Sequence, residues 1–354
     1  MTNEEIKQFI IENPIYLNGS YALGAEKVGV TYEKFRHICR KIRKENVPTT
    51  PKIEAKSIDL SNCTPSGIGL NAEGIKSYIR DTWDEFDVVR HVTKDIKRIA
   101  IISDLHGVFL DKKVFNCFLE VIKDNQFDEI VLNGDVLDFP LLSRHTGKLI
   151  NSGYMKDYSE IKEIEFAKEH ILKAIRNASQ ANIVMRLGNH SERVTAPFNL
   201  SQSQLARLAV LYHHYGTVKL DEMLELKSMD IEFDPTPVRS YYGVFDVIHG
   251  LSLAKNAQEN NIMSRMKSGA SSHSHRMGAK YITKADKEYV WIETGCMRVR
   301  KNIEYFPTAV TADWAHGFAV INFDLNKDKV KFFGGCYPII DGATCYNGNV
   351  YYGN

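Results

Sequence analysis

The sequence predicts an α/β fold: layered sheets and helices preceded by a small all-α module. Three observations predict it. Short apolar runs alternate with helical patterns from about residue 98 onward. Polar residues able to carry chemistry follow those runs directly. The first 46 residues place their apolar positions at helical spacing instead.

In the N-terminal module, residues 1–46, Ile6, Phe9 and Ile10 mark one face of a helix that Asn13-Pro14 ends. Ala25 and Gly29, with Val30 next, suit a tight turn between two further helices. Thr31 is placed to cap the second of these, although Lys34 stands where a capping box wants Glu or Gln. Phe35, Ile38 and Ile42 form its apolar stripe, and Lys34 to Lys44 carries six basic residues and no acid. The arrangement resembles a helix-turn-helix, whose second helix enters the major groove. Arg36, Arg40 and Arg43 are then the candidate DNA contacts. The alternatives are a helical hairpin with a solvated basic face and a protein-docking module. Residues 47–97 are polar and weakly periodic, with Pro48, Pro51 and a Thr64-to-Gly69 turn. They read as a linker with short ordered pieces, one a helix near Ala72 to Asp81.

Composition bounds the rest. A chain of 354 residues can hold one large core and a small module. Apolar residues at 44% and charged residues at 25% are ordinary for a globular protein, and a net charge of +1 gives no global pull toward nucleic acid or membrane. No run approaches the roughly 20 apolar residues of a membrane span. Glu4 and Glu5 stand where a signal peptide carries positive charge, so a cytoplasmic chain is expected. Cys39, Cys63, Cys117, Cys296, Cys336 and Cys345 are scattered without a CxxC pair and read as free structural thiols.

In the main domain, residues 98–354, the apolar runs are Ile99–Ile102, Ile130–Leu132, Ile183–Met185 and Val244–Ile248. Helical patterns at Val114–Ile122 and Ile161–Ile175 separate the early ones. The later runs, Tyr289–Ile292, Gly317–Ile321 and Val330–Phe333, lack long helices between them and read as a more antiparallel half. Each early run ends in potential metal ligands: Ser103-Asp104-Leu105-His106, Asn133-Gly134-Asp135 with Asp138 beyond, Leu187-Gly188-Asn189-His190, and His249-Gly250. Ser272-His273-Ser274-His275 follows. Ligands in α/β folds gather at the carboxyl ends of strands, where these groups fall. Gly134 and Gly188 allow close backbone approach to a crowded site. Mixed oxygen and imidazole donors suit Mn, Fe, Zn or Ni rather than calcium.

The order DxH, GDxxD, GNH, HG, HxH, over roughly residues 98–325, resembles the calcineurin-like metallophosphoesterase superfamily. The resemblance implies a four-layer αββα sandwich and two divalent ions. Asp104, His106 and His275 would hold the first ion, Asp135 would bridge, and Asn189, His249 and His273 would hold the second. His190 is similar to the family's histidine that contacts phosphate and protonates the leaving oxygen. Asp138 would support the site or merely cap the following turn. Manganese is the expected metal.

Three departures stand out. Ser272 replaces the usual glycine before HxH, Ser191 follows GNH, and Phe139-Pro140 follows the second Asp where protein phosphatases have Arg-Gly. These disfavour Ser/Thr protein phosphatase activity, and Glu192 becomes a candidate for orienting His190. The tail, Ile292–Cys296 then Asp313–Phe318, is similar to metallophosphoesterases of phages and mobile elements, which would place the chain in a host cytoplasm. Trp314 and His316 could line the site or pack a sheet. Arg144, Arg186, Arg193, Arg276 and Arg298 are candidate phosphate contacts or ordinary surface charge.

The implied reaction is attack by a metal-bound hydroxide on a phosphoester, between ions about 3.5–4 Å apart, with His190 as the acid. The expected enzyme is a phosphodiesterase acting on nucleic acid or a nucleotide. The alternatives are a phosphomonoesterase for a small ester and a DNA-binding regulator with an inert metal site. Oligomeric state is not legible.

Overall fold

In the computed structural model the chain divides into two compact units, Met1–Arg90 and His91–Asn354. The structure describes residues 2–13, 21–45, 95–143, 157–195, 200–250, 252–284, 287–300, 313–325 and 329–354. The expected linker helix near 72–81 lies outside these residues.

The first unit holds helices α1 (Asn3–Glu12), α2 (Tyr21–Val28) and α3 (Tyr32–Glu45). Thr2 and Glu5 close a capping box at the start of α1. Ile6, Ile10, Ala25, Val28, Phe35, Ile38, Cys39 and Ile42 share one small core. The turn between α2 and α3 uses Gly29 at φ +66°, which a side chain would strain, and the Val30 amide donates to Ala25 O. Thr31 Oγ1 accepts the Lys34 amide at 3.4 Å, the cap expected of it. Lys34, Arg40 and Lys41 face solvent, and Arg36 is half-buried.

The second unit opens with β1 (Ile96–Ile102), α4 (Lys112–Asp124), β2 (Glu129–Asn133) and β3 (Asn182–Arg186). Between β2 and β3 runs α5 (Glu160–Phe166), continued through a π turn, Ala167–Leu172, into α6 (Lys173–Ala178). Next come α7 (Glu192–Thr195), α8 (Gln202–Tyr215), β4 (Ile231–Asp234), β5 (Arg239–Tyr241) and β6 (Phe245–Val247). The chain continues with α9 (Ala257–Arg265), β7 (Ser268–Ser271), β8 (Met277–Lys284) and β9 (Lys287–Thr294). It closes with β10 (Gly317–Asp324), β11 (Lys331–Pro338), β12 (Ala343–Tyr346) and β13 (Asn349–Tyr352).

One sheet runs β11-β10-β1-β2-β3-β4 and the other β5-β6-β7-β9-β8. Strands β1 to β4 are parallel, as are β6, β7 and β9; β10, β11 and β8 pair antiparallel. The late runs are therefore antiparallel only in part, because β9 joins β7 in parallel.

Period-2 alternation separates the layers. On β1, Ala100 and Ile102 join Phe115, Phe118 and Ile171 of the helices, while Ile99 and Ile101 face Phe245, Ala270 and Ile292 of the other sheet. On β9, Val290 and Ile292 look inward, while Tyr289 and Trp291 meet Ile262 of α9. Helices, sheet, sheet and helix thus stack in four layers. α8 packs on the helical layer: Gln204 donates to Ser143 O at 2.7 Å, and Arg207 pairs with Glu160 at 3.1 Å.

Candidate metal centre

Five strands deliver their first loop residues to one place. β1 leads to Asp104 and His106, β2 to Asp135, β3 to Asn189 and His190, β6 to His249, and β7 to His273 and His275. Asp104 (φ +53°), His106 (+54°), Asp135 (+48°), His273 (+66°) and His275 (+58°) are all left-handed. Asp and His tolerate this region better than most residues, but it still costs roughly 1 kcal/mol or more apiece. The fold holds them there because the sheets fix both ends of each loop. The Asp104 amide donates to Gly134 O and the His106 amide to Asp135 O, tying the first two loops together.

Two groups of donor atoms result. In the first, His275 Nε2 lies 3.1 Å from Asp104 Oδ1 and 3.1 Å from His106 Nε2. In the second, His249 Nε2 lies 3.2 Å from Asp135 Oδ2 and 3.1 Å from Asn189 Oδ1, with His273 beside them. Asp104 Oδ1 and Asp135 Oδ2 are buried without a hydrogen-bond partner. A buried charged oxygen left so is costly, and imidazole nitrogens converging on each supply the rest of a cation's shell. The residues fit two divalent ions. Gly134 and Gly188 leave the room expected of them: a Cβ at Gly134 would overlap the His249 ring, and one at Gly188 would overlap Asp135.

Electrostatics follow from the carboxylates. Burial opposes ionisation of Asp104, Asp135 and Asp138, yet the charges facing them hold all three below the usual carboxylate range. For Asp104 these are His275, for Asp135 they are His249 and His190, and for Asp138 they are Arg298 and His190. Despite burial, Asp135 raises the proton affinity of His249 and Asp104 that of His275, so a proton and a cation compete for the same ring nitrogens.

Asp138 supports the site; the turn-capping alternative does not describe its contacts. Its Oδ1 lies 2.6 Å from His190 Nδ1, and its Oδ2 lies 3.0 Å from Arg298 and 3.6 Å from His106 Nδ1. A third donor group, His106–Asp138–His190, is close enough for an ion, but Arg298 and Arg193 already neutralise Asp138. It reads as a buttress. His190 Nε2 faces Asp135 Oδ2 at 3.8 Å. Burial would lower the His190 pKa, but Asp135 and Asp138 raise it above the ordinary value. Asp138, not Glu192, is what orients His190.

The arginines separate. Arg186 and Arg298, each 2% exposed, are buried supports rather than surface charge. Arg186 serves Asn133 Oδ1, Asp234 and the carbonyls of Val247 and Thr236. Arg298 holds Asp138 and lies over the rings of Phe109 and Trp314. Arg193 donates to Asp138 O at 2.8 Å and Arg276 to Leu253 O at 2.5 Å. Arg144 lies outside the described residues. Trp314 packs edge-on against His275 at 4.2 Å between ring centres, and His316 Nε2 bonds Arg298 O at 2.8 Å.

Glu163, fully buried on α5, was not visible in the sequence. It accepts the amides of Asp138 at 2.6 Å and Phe139 at 3.0 Å and the Tyr158 hydroxyl, and Gly107 leaves space for it. Its nearest sequence signal was an acid inside an otherwise apolar helical face.

The order of these motifs along the strands is the one on which the sequence resemblance to calcineurin-like metallophosphoesterases rests. Two relatives carry the name Gene 54 protein. That of Mycobacterium phage L5 is 26% identical over 268 residues, 72% of this chain and 98% of the relative. That of Mycobacterium phage D29 is 27% identical over 269 residues, with the same coverage of 72% and 98%. Among solved structures, Vps29 of Entamoeba histolytica complexed with zinc is 10% identical at TM-score 0.33, covering 73% of this chain and 99% of that one. A Streptococcus pneumoniae protein described as conserved, uncharacterized and a predicted phosphoesterase is 9% identical at TM-score 0.27, covering 68% and 99%. No family model matches the chain. Among the described residues, no helix is long and apolar enough to cross a membrane.

Proposed function

We propose that the chain is a dinuclear metal-dependent phosphodiesterase acting on nucleic acid or a nucleotide. One observation carries the metal reading: seven donor residues converge in two groups around two buried carboxylate oxygens that have no other partner. Asp104, His106 and His275 would hold one ion, Asn189, His249 and His273 the other, and Asp135 would serve both. When bound, such ions supply Lewis acidity and a nucleophile at neutral pH.

The chain's own residues do the rest. Asp138 fixes the His190 ring through Nδ1, leaving Nε2 turned toward Asp135 and the donor groups. Burial opposes protonation of His190, but Asp135 and Asp138 raise its pKa, which suits it to give a proton to the departing ester oxygen. Arg298 keeps Asp138 ionised, so the proton stays on the ring.

The exposed Lys34, Arg40 and Lys41 of α3 favour an anionic polymer or nucleotide over a small monoester, with Arg36 and Arg40 as the proposed DNA contacts, together with Arg43, whose side chain lies outside the described ones. Manganese is the proposed metal, with iron, zinc or nickel as alternatives, and a host cytoplasm is the proposed location. Chromogenic monoester and diester substrates, assayed in parallel with Mn²⁺, decide the reaction. Turnover of the diester alone is expected. Turnover of the monoester alone would make the chain a phosphomonoesterase, and turnover of neither would leave a DNA-binding regulator. Removing residues 1–46 should flatten the salt dependence of duplex binding, by roughly 0.9 in log–log slope per lost phosphate contact. An unchanged slope would return α3 to a protein-docking role.

A further inference from the structure

Ser272 stands where related sites have glycine, and its side chain is not idle. We infer that Ser272, Thr294 and Ser103 form a one-directional hydrogen-bond relay that turns Asp104 Oδ1 toward the first ion. They are thus positioning residues for that ion, an inference that rests on the two-ion reading above.

The direction of the links follows from the Asp104 end and agrees with the Asn133 end. At one end, Ser103 Oγ lies 2.7 Å from Asp104 Oδ2. The carboxylate can only accept, so Ser103 spends its single proton there. Thr294 Oγ1, 3.0 Å from Ser103 Oγ, must then be the donor. With its own proton used, Thr294 accepts from Ser272 Oγ at 3.1 Å. At the other end, Arg186 Nη1 donates to Asn133 Oδ1 at 2.8 Å. A guanidinium never accepts, so the carbonyl oxygen of Asn133 must face it and the amide nitrogen must face away. That nitrogen donates to Ser272 Oγ at 2.8 Å and to Ile248 O at 2.7 Å. Ser272 thus accepts from Asn133 and keeps its own proton for Thr294, in agreement with the first count. Gly295 O competes for the Ser103 and Thr294 protons only at 3.2 and 3.4 Å.

The relay ends on one carboxylate oxygen and leaves the other bare. Asp104 Oδ2 takes the Ser103 proton and the His273 amide at 3.1 Å. Asp104 Oδ1 has no hydrogen-bond partner and faces His275 Nε2. All three hydroxyl residues are buried: Thr294 is 0% exposed, Ser103 1% and Ser272 3%. No hydroxyl there can be re-satisfied by bulk water, so each link depends on its neighbour. Supports of this kind, one step removed from a ligand, typically change metal affinity by about 10–100-fold.

The test is calorimetric titration of the metal-free, full-length chain with Mn²⁺, alongside its unfolding midpoint. The wild type should take up two ions. Ser103→Ala and Thr294→Val, the latter matched in shape, should weaken one of the two by about tenfold or more and spare the other. Thr294→Ser keeps the hydroxyl and should restore the affinity. Ser272→Gly should weaken the same ion, and it introduces no bulk should Thr294→Val fold poorly. A merely structural role would lower the metal-free midpoint and leave both affinities alone. Two ions bound at wild-type strength by Ser103→Ala and Ser272→Gly would overturn the relay and leave the two-ion reading standing. A wild type that binds no ion would overturn that reading, and the relay with it.

Discussion

The two donor groups are held by different materials. Asp104 is oriented mainly by side chains, through the hydroxyls of Ser103, Thr294 and Ser272, with the His273 amide as its main-chain donor. The other group leans on main chain: His249 Nδ1 bonds Asn133 O at 2.8 Å, and Asp135 Oδ1 accepts the His190 amide at 2.9 Å. The side-chain-held half is open to single substitutions that remove a hydroxyl without touching the backbone. The backbone-held half is as fixed as the strands that carry it. Asn133 belongs to both, its amide starting the relay and its carbonyl holding His249.

The harshest way to break this contrast is at the residue between the groups. Asp135→Asn removes the shared charge and should abolish binding of both ions and reduce turnover to background, read by metal analysis and a chromogenic diester. Full activity of Asp135→Asn in excess chelator would remove the metal assignment. Next in size, His190→Ala should cost about 10²–10⁴-fold in rate while sparing metal content. The loss should shrink for a nitrophenolate leaving group, which needs no proton. Equal losses on good and poor leaving groups would make His190 a phosphate-positioning group instead.

Asn133→Ala sharpens the comparison directly. It deletes the relay's donor and keeps the carbonyl under His249. One ion should weaken by about tenfold and the other should hold, as read by calorimetry. The protein should also lose about 1–3 kcal/mol, because Arg186 loses a buried acceptor.

The smallest effect concerns pH. Burial, and then the charge of Asp138, push the Glu163 carboxyl up to about 7. The folded chain thus keeps a proton that the unfolded chain releases near about 4.3. Between those values the folded state binds more protons, so Glu163's contribution to stability falls as pH rises from about 4.3 to about 7, then levels off. Denaturant midpoints of the metal-free protein should show this slope, and Glu163→Gln should remove it. An identical slope in both proteins would count against a protonated Glu163.

Much of this architecture was legible because buried parallel strands read as plain apolar runs. Ile99–Ile102 and Ile130–Leu132 lie in β1 and β2, and the ligands follow them directly. β7 was not legible. Its sequence, Ser268-Gly269-Ala270-Ser271, has no apolar run, because Trp291 and Asp246 O crowd Gly269 too closely for a side chain. β12 and β13 were missed for another reason: they form a separate hairpin, in which Tyr346 and Tyr351 pack into the helical core. At the site, the proposed metal donors stood out because Asp and His follow one apolar run after another. Ser103, Thr294, Asn133 and Glu163 did not, since hydroxyls, amides and lone acids are common everywhere. Only folding reveals which of them are buried and whom they face.

The left-handed backbone at Asp104, His106, Asp135, His273 and His275 also constrains how such a site can decay. Most replacements there would forfeit the ligand and keep the conformational penalty; glycine escapes it, and asparagine bears it lightly. A lineage released from selection for metal binding would therefore drift first toward glycine and asparagine at these five positions. Glycine at one of these positions in a relative would mark the loss of that donor at no conformational cost.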